Sequence, residues 1–168
     1  MHQETLVLNN HQVNQKISRI AYQLYESFVY EEQVIIIGIT GQGFKLAKKI
    51  ADALRQIANI NVTLEQLTFS KQDPCNSDYQ YSGNLLDLNN ANVVLVDDVL
   101  NSGSTLIYAA KYLLKQEISH LITTVLVDRI HRKFPIKADF VGLSLSTTLQ
   151  EHIEVRFNDS DETSVFLQ

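Results

Sequence analysis

The sequence predicts an α/β fold: a mostly parallel central sheet flanked by helices, with a small C-terminal hood. Three observations carry that prediction. The runs QVIIIGI, VVLV and LITTVLV are apolar without alternation, as strands covered on both faces must be. Between them, apolar residues recur at three- and four-residue steps, the period of a helix resting one side on a core. Strand, helix and strand then succeed one another, which implies parallel pairing through right-handed crossovers. At 168 residues and 45% hydrophobic content, the chain is expected to form a single domain over residues 1–168.

The elements follow in order. Thr5 to Leu8 reads as a short strand, and Val13, Ile17, Ile20, Ala21, Leu24 and Phe28 trace an amphipathic helix. Gln33 to Ile39 is a central strand, TGQG a turn, and Phe44, Leu46, Ala47, Ile50, Ala51 and Leu54 mark a second helix. Val62 to Phe69 is a strand, and the polar run from Ser70 to Asn84 is expected to be a mobile loop. Val93 to Val96, a helix from Ser104 to Gln116, and Leu121 to Val127 continue the alternation. From Asp128 to Phe157 the runs are short and extended, which suggests an appended hood. The last stretch, NDSDETSVFLQ, begins acidic and is expected to fray.

Charge and composition exclude several classes. A net charge of -5 gives no overall field to attract nucleic acid or an anionic membrane surface, so a polyanion site must be local. No apolar run approaches the roughly 20 residues that span a bilayer, and the first residues lack a signal-peptide pattern, so a cytoplasmic protein without membrane contact is expected. The single cysteine, Cys75, rules out an internal disulfide and reads as a spectator thiol in an exposed loop. His2, His11, His120, His131 and His152 show no metal-ligand spacing and are expected to be surface or structural residues.

The stretch VVLVDDVLNSGST concentrates the chemistry. Ligands of an open parallel sheet bind beyond the carboxyl ends of its strands, where Asp97 and Asp98 are expected. Asn101, Ser102, Gly103, Ser104 and Thr105 then supply hydroxyls, a glycine and the free amides of a helix N-terminus, which favour a phosphate. Helix capping accounts for one serine but leaves both aspartates without a purpose. A ribose 5-phosphate accounts for all of them: hydroxyls for the carboxylates, phosphate for the amides. The turn GITGQGFKLA also has part of a dinucleotide fingerprint in Gly41 and Gly43, with Glu65 about 20 residues on. Leu46 replaces its third glycine, and Glu65 falls inside a strand pattern.

On these residues, VVLVDDVLNSGST resembles the donor-binding signature of the type I phosphoribosyltransferase family. The likeness extends through IIIGITGQGFKLAKKIADAL and VLVDRIHRKFPIKADFVGLSLSTT, from about Asn14 to Phe157. Within the family the chain is most similar to the bifunctional pyrimidine-operon regulators that are also uracil phosphoribosyltransferases. The resemblance implies an enzyme that moves a phosphoribosyl group from phosphoribosyl pyrophosphate to a nitrogenous base, uracil first, with Mg2+ as cofactor and a homodimer or larger homo-oligomer as the assembly. It implies that Asp97 and Asp98 hold the ribose hydroxyls, directly or through the metal, with Val99 and Leu100 following. Asn101 to Thr105 would wrap the 5-phosphate, and Thr40, Gly41, Gln42 and Gly43 would meet the pyrophosphate. Residues 70–83 would be a lid, Arg129 a further substrate contact, and Lys137 the partner of a ring carbonyl on the base.

The chain also departs from its relatives. Ser104 stands where many members carry arginine or lysine, and Thr-Gly-Gln-Gly stands where the regulators usually read Lys-Thr-Arg-Gly. Asn101 replaces an aspartate of the purine-transferring members, which favours a pyrimidine. Arg19 matches the regulators' RNA-binding pattern, but Tyr22 replaces a histidine and the net charge is acidic, so RNA as a partner is disfavoured. The competing expectation is a regulator on the same fold that binds a nucleotide or RNA without turnover.

Overall fold

Asn9 starts the first helix by accepting a hydrogen bond from the Gln12 amide while the Gln12 side chain accepts one from the Asn9 amide. This reciprocal cap satisfies two donors that a helix start leaves free. The computed structural model, which describes residues 4–148 and 150–168, thus begins with β1 (Thr5–Leu8) and α1 (Asn10–Ser27). The reading of His2 lies outside the described residues. The buried side of α1 is Val13, Ile17, Ile20, Ala21 and Leu24, the face expected from its spacing.

Next come β2 (Gln33–Ile39), α2 (Gln42–Ile57), β3 (Asn61–Thr68), β4 (Gln80–Tyr81) and a single 3-10 turn at Leu85–Leu88. Then follow β5 (Asn92–Leu100), α3 (Ser104–Leu113), β6 (His120–Asp128), β7 (Phe140–Ser144), β8 (Ile153–Phe157) and β9 (Thr163–Leu167). The main sheet has the order β4-β3-β2-β5-β6-β7 and is parallel except for β4. Its residues alternate between two cores. Val34, Ile36, Val94 and Val96 join α1 and α2 on one face, while Ile35, Ile37, Val93 and Leu95 join α3 on the other. That division explains why the central strands are apolar without alternation.

The crossover from β2 runs outward to β3 and that from β5 runs the opposite way to β6. The chain therefore reverses direction between β2 and β5, which opens a crevice at their carboxyl ends. Strand β5 outlasts β2 there: pairing with β2 stops at Val96, whereas pairing with β6 continues through Asp97 to Leu100. The acidic pair was expected at a strand end. It lies inside β5 but beyond the reach of β2.

Two other expectations change. The terminal stretch does not fray: Thr163–Leu167 is the middle strand of an antiparallel sheet of order β1-β9-β8, with Thr163 and Val165 fully buried. The acidic residues form the turn into it, where the Asn158 amide donates to the Glu162 carbonyl and Lys49 of α2 pairs with Asp161. Five residues are too few to announce a strand behind a polar turn. The polar run after β3 also holds more structure than a loop, since Tyr81 and Gln80 pair with Leu67 and Thr68. No helix among the described residues is long and apolar enough to cross a membrane.

Candidate active site

Two helix starts meet at the crevice. The first follows β2: the Thr40 amide donates to the Leu67 carbonyl at 2.9 Å and its hydroxyl accepts from Gln66, which fixes the turn from below. Gly41 then takes φ 85°, and α2 starts without a side-chain cap, so the Gly41–Gly43 amides remain open at a helix N-terminus. Gly43 is needed for closeness. A Cβ there would stand 2.8 Å from Asp97 Oδ1 and 3.1 Å from its Cα, so any side chain would drive α2 off the acidic pair.

The second start follows β5. Asn101, Ser102 and Gly103 turn the chain into α3, with Gly103 at φ 87° and again no side-chain cap on the helix. The Ser102 hydroxyl accepts from the Ser104 amide at 3.2 Å. Leu100 is buried, and its carbonyl accepts from the Arg129 amide at 3.0 Å. Val99, Asn101 and Thr105 line the same cavity as Asp97, Asp98 and Gln42, a space of about 310 Å³. Its opposite wall is His152, Ile153, Glu154 and Val155 from the small sheet.

Asp97 is 3% exposed. Its Oδ1 accepts from the Asp98 amide at 3.0 Å and from Lys71 Nζ at 2.7 Å, and the same ammonium is 3.7 Å from Asp98 Oδ1. Burial, with the neighbouring Asp98 charge second, pushes the Asp97 carboxyl up to about 7; Lys71 offsets only part of that. Burial alone would lower the Lys71 ammonium, but the two aspartates raise it on balance. The pair therefore sets two adjacent carboxyl groups in one cavity, with the Lys71 ammonium against both.

The residues also suit a magnesium ion carried in by a phosphate ligand. Magnesium is commonly bound by one or two carboxylates, waters and substrate phosphates rather than by a protein cage. Among the described residues no group of three or more His, Cys, Asp or Glu side chains forms such a cage, while the adjacent carboxylates of Asp97 and Asp98 share this cavity with Glu154 on its far wall. Gln42 lines it too, and its buried Oε1 has no hydrogen-bond partner among the described residues. An orphaned acceptor there suits a ligand hydroxyl or a metal-bound water.

Two of the expected contacts sit elsewhere. Arg129 spends its guanidinium inside the protein: Nε donates to Thr147 Oγ1 at 3.0 Å, Nη1 to Asn101 Oδ1 at 2.9 Å, and Nη2 to the Thr148 and Glu151 carbonyls. It ties the 101–105 turn to the hood. Because lysine cannot span that fork, Arg129→Lys is expected to lower stability by about 1–3 kcal/mol, read as a shifted urea midpoint. Lys137 is exposed and does not line the cavity.

Sequence reasoning missed three participants. Lys71 was passed over as part of a polar loop, although it is the one cation in SKQDPCNSD. Asp128, 3% exposed, accepts from the Ile130 amide and pairs with Arg132, holding the turn that leads into the hood. The β8 wall had no signal, because its residues face the cavity only once the small sheet is assembled. Glu65 lies in the interior of β3 and accepts from the Ser82 hydroxyl, so it is not the acidic strand end that a dinucleotide site requires.

Residues 4–159 match the phosphoribosyl transferase domain. The chain is 32% identical to the bifunctional protein PyrR of Haemophilus ducreyi over 168 residues, covering 96% of this chain and 94% of the relative. It is 34% identical to that of Streptococcus thermophilus over 147 residues, covering 86% and 85%. Among solved structures, the hypoxanthine phosphoribosyltransferase of Trypanosoma cruzi superposes with a TM-score of 0.78 at 16% identity, over 95% of this chain and 93% of that one. A hypoxanthine-guanine phosphoribosyltransferase of Bacillus anthracis gives 0.72 at 20% identity, over 85% and 83%. These two share the fold, while the domain match and the two curated relatives lead to one conclusion: the chain belongs to the phosphoribosyl transferase domain family.

Proposed function

We propose that this protein transfers the phosphoribosyl group of phosphoribosyl pyrophosphate to a nitrogenous base, with uracil the leading acceptor, and releases pyrophosphate. The observation that carries the reading is the meeting of Asp97 and Asp98 with two uncapped helix starts in one cavity of about 310 Å³. In this reading the 101–105 turn takes the 5-phosphate and the 40–43 turn the pyrophosphate. The carboxylates take the ribose hydroxyls between them. The base lies toward the β8 wall; Lys137, the cation that the family resemblance assigns to a ring carbonyl, stands outside this cavity.

The chemistry follows from where charge develops. The bond from ribose C1 to the pyrophosphate oxygen breaks, positive charge grows on the sugar, and a ring nitrogen of the base forms the new bond and then loses its proton to solvent. Magnesium, when bound, supplies charge neutralisation for the leaving group. The chain's own part is positioning and electrostatics: open amides toward both phosphate ends and carboxylates beside the cationic sugar. No covalent nucleophile is needed.

Pyrophosphate release from phosphoribosyl pyrophosphate and Mg2+ is the test, with uracil, hypoxanthine, guanine and adenine as acceptors. Uracil is expected to give the highest kcat/KM. Release with none of these bases, from folded protein that still binds nucleotide, would overturn the enzymatic reading in favour of a nucleotide- or RNA-binding regulator. That second reading has its own support: the 40–43 turn and Ser104 carry no cation. RNA is the weaker partner within it, because the net charge is -5 and the Nη2 of Arg19 is engaged by the Val141 and Gly142 carbonyls at 2.9 and 2.6 Å.

A further inference from the structure

The side-chain amide of Asn101 is oriented by a neighbour that can only donate. We infer that Arg129 turns this side chain so that its Nδ2 is the hydrogen-bond donor to the acceptor base, which selects a base with a carbonyl oxygen or an unprotonated ring nitrogen at that edge. The inference rests on the proposed transfer to a base in this cavity.

The two ends of an asparagine amide differ in what they can bond: the oxygen accepts and the nitrogen donates. Arg129 Nη1 stands 2.9 Å from Asn101 Oδ1, and a guanidinium has no acceptor, so the oxygen must be the end that faces it. Nδ2 is left over. It makes no hydrogen bond among the described residues, yet it is not a buried orphan as Gln42 Oε1 is. It is therefore open to the space that Asn101 lines with Asp97, Asp98 and Thr105.

The orienting group is itself held. Arg129 Nε donates to Thr147 Oγ1, and Nη2 to the Thr148 and Glu151 carbonyls. Thr147 is buried, and the Thr148 amide closes the turn by donating to the Glu151 carboxylate at 2.6 Å. These residues lead into β8, the wall toward which the base lies in the proposed function. Swinging Oδ1 into the cavity would set the Asn101 amide nitrogen against the guanidinium, donor against donor. Each hydrogen-bond partner of Arg129 is an uncharged oxygen, so its charge polarises the amide it touches and makes Nδ2 a stronger donor.

A fixed donor suits a pyrimidine acceptor. As the reacting ring nitrogen of uracil gives up its proton, negative charge spreads onto the carbonyl oxygen of the adjoining carbon, and a donor aimed there stabilises it. Asn101 takes up no proton itself, so the ring proton passes to solvent.

Because Asn101 also begins the turn proposed for the 5-phosphate, the experiment separates base from phosphate. Calorimetry compares UMP with ribose 5-phosphate on wild type, Asn101→Ala, Asn101→Asp and Arg129→Gln. Wild type should bind UMP more tightly by about tenfold or more. Asn101→Ala should lose most of that advantage while its affinity for ribose 5-phosphate holds, and Asn101→Asp, which sets a carboxylate against a carbonyl oxygen, should lose all of it. Arg129→Gln, which can accept as well as donate, frees the amide to turn and should narrow the advantage; a merely structural Arg129 would weaken both ligands equally. If Arg129→Gln does not fold, the Asn101 variants decide. An undiminished UMP advantage in either Asn101 variant, equal losses for both ligands in Asn101→Ala, or a wild type that binds UMP no tighter than ribose 5-phosphate would each overturn the inference. The pyrophosphate assay keeps the two readings apart. No release with any base, together with a UMP advantage that the Asn101 variants abolish, would sink the enzymatic reading and leave base recognition by Asn101 standing.

Discussion

Replacing Asp97 and Asp98 together by Asn is expected to abolish binding of phosphoribosyl pyrophosphate while leaving a folded protein. Each charge-assisted hydrogen bond contributes about 1.5–3 kcal/mol. Losing one from each carboxylate removes ~3–6 kcal/mol, a factor of ~10²–10⁴ in affinity. Calorimetric titration measures it, and full donor affinity in a folded double variant would refute the role of the pair. The fold should survive because Asp97 is a burden on it. Its carboxyl is raised from 3.8 to about 7 in the folded state, so between those values the folded chain keeps a proton that the unfolded chain releases. Stability contributed by that proton is present below about pH 4 and is lost as pH rises to about 7. Asp97→Asn should therefore flatten the decline of stability with pH across that window relative to wild type, read from urea midpoints at several pH values. That cost fits the role proposed for Asp97 in holding a ligand.

How much of this was legible beforehand depended on the kind of interaction. Unbroken apolar runs placed β2, β5 and β6, because a strand buried on both faces has no polar position to hide it. The acidic pair and the 101–105 turn were legible because buried charge and a glycine at a helix start each demand a reason within a few residues. Lys71 was not legible: its meaning depends on Asp97, 26 residues away and brought near by the crossover. The same holds for Arg129, whose partners Asn101 and Thr147 lie in two different connecting segments. A cation in a sequence looks the same whether it meets a ligand, as was expected of Arg129, or holds two parts of the protein together, as it does. The β9 strand was hidden for a third reason. An acidic run suggests a solvated end, and only pairing with both β1 and β8 turns it into a hairpin turn.

Gly103→Ala is expected to destabilise the protein and, on the proposed function, to disable at once the turn that would take the 5-phosphate. The residue has φ 87°, a conformation that costs about 1–2 kcal/mol for a residue with a Cβ. That Cβ would also stand 2.7 Å from Ile136 Cγ2. Ile136 cannot easily retreat, because the Lys133 and Phe134 amides both donate to the Ser102 carbonyl and bind its turn to the 101–105 turn. Overpacking of this kind costs typically 1–3 kcal/mol, so the total is ~2–5 kcal/mol out of the roughly 5–15 kcal/mol of a typical domain. The two causes can be separated by combining Gly103→Ala with Ile136→Ala. The double variant should recover the overpacking share but keep the backbone share, so the two substitutions should be less harmful together than their separate effects sum to. Strict additivity of the urea midpoints would mean that Ile136 does not press on the loop. Donor affinity should follow the backbone instead: if the αL turn at Gly103 is what aims the α3 amides at the phosphate, relieving Ile136 restores stability without restoring binding.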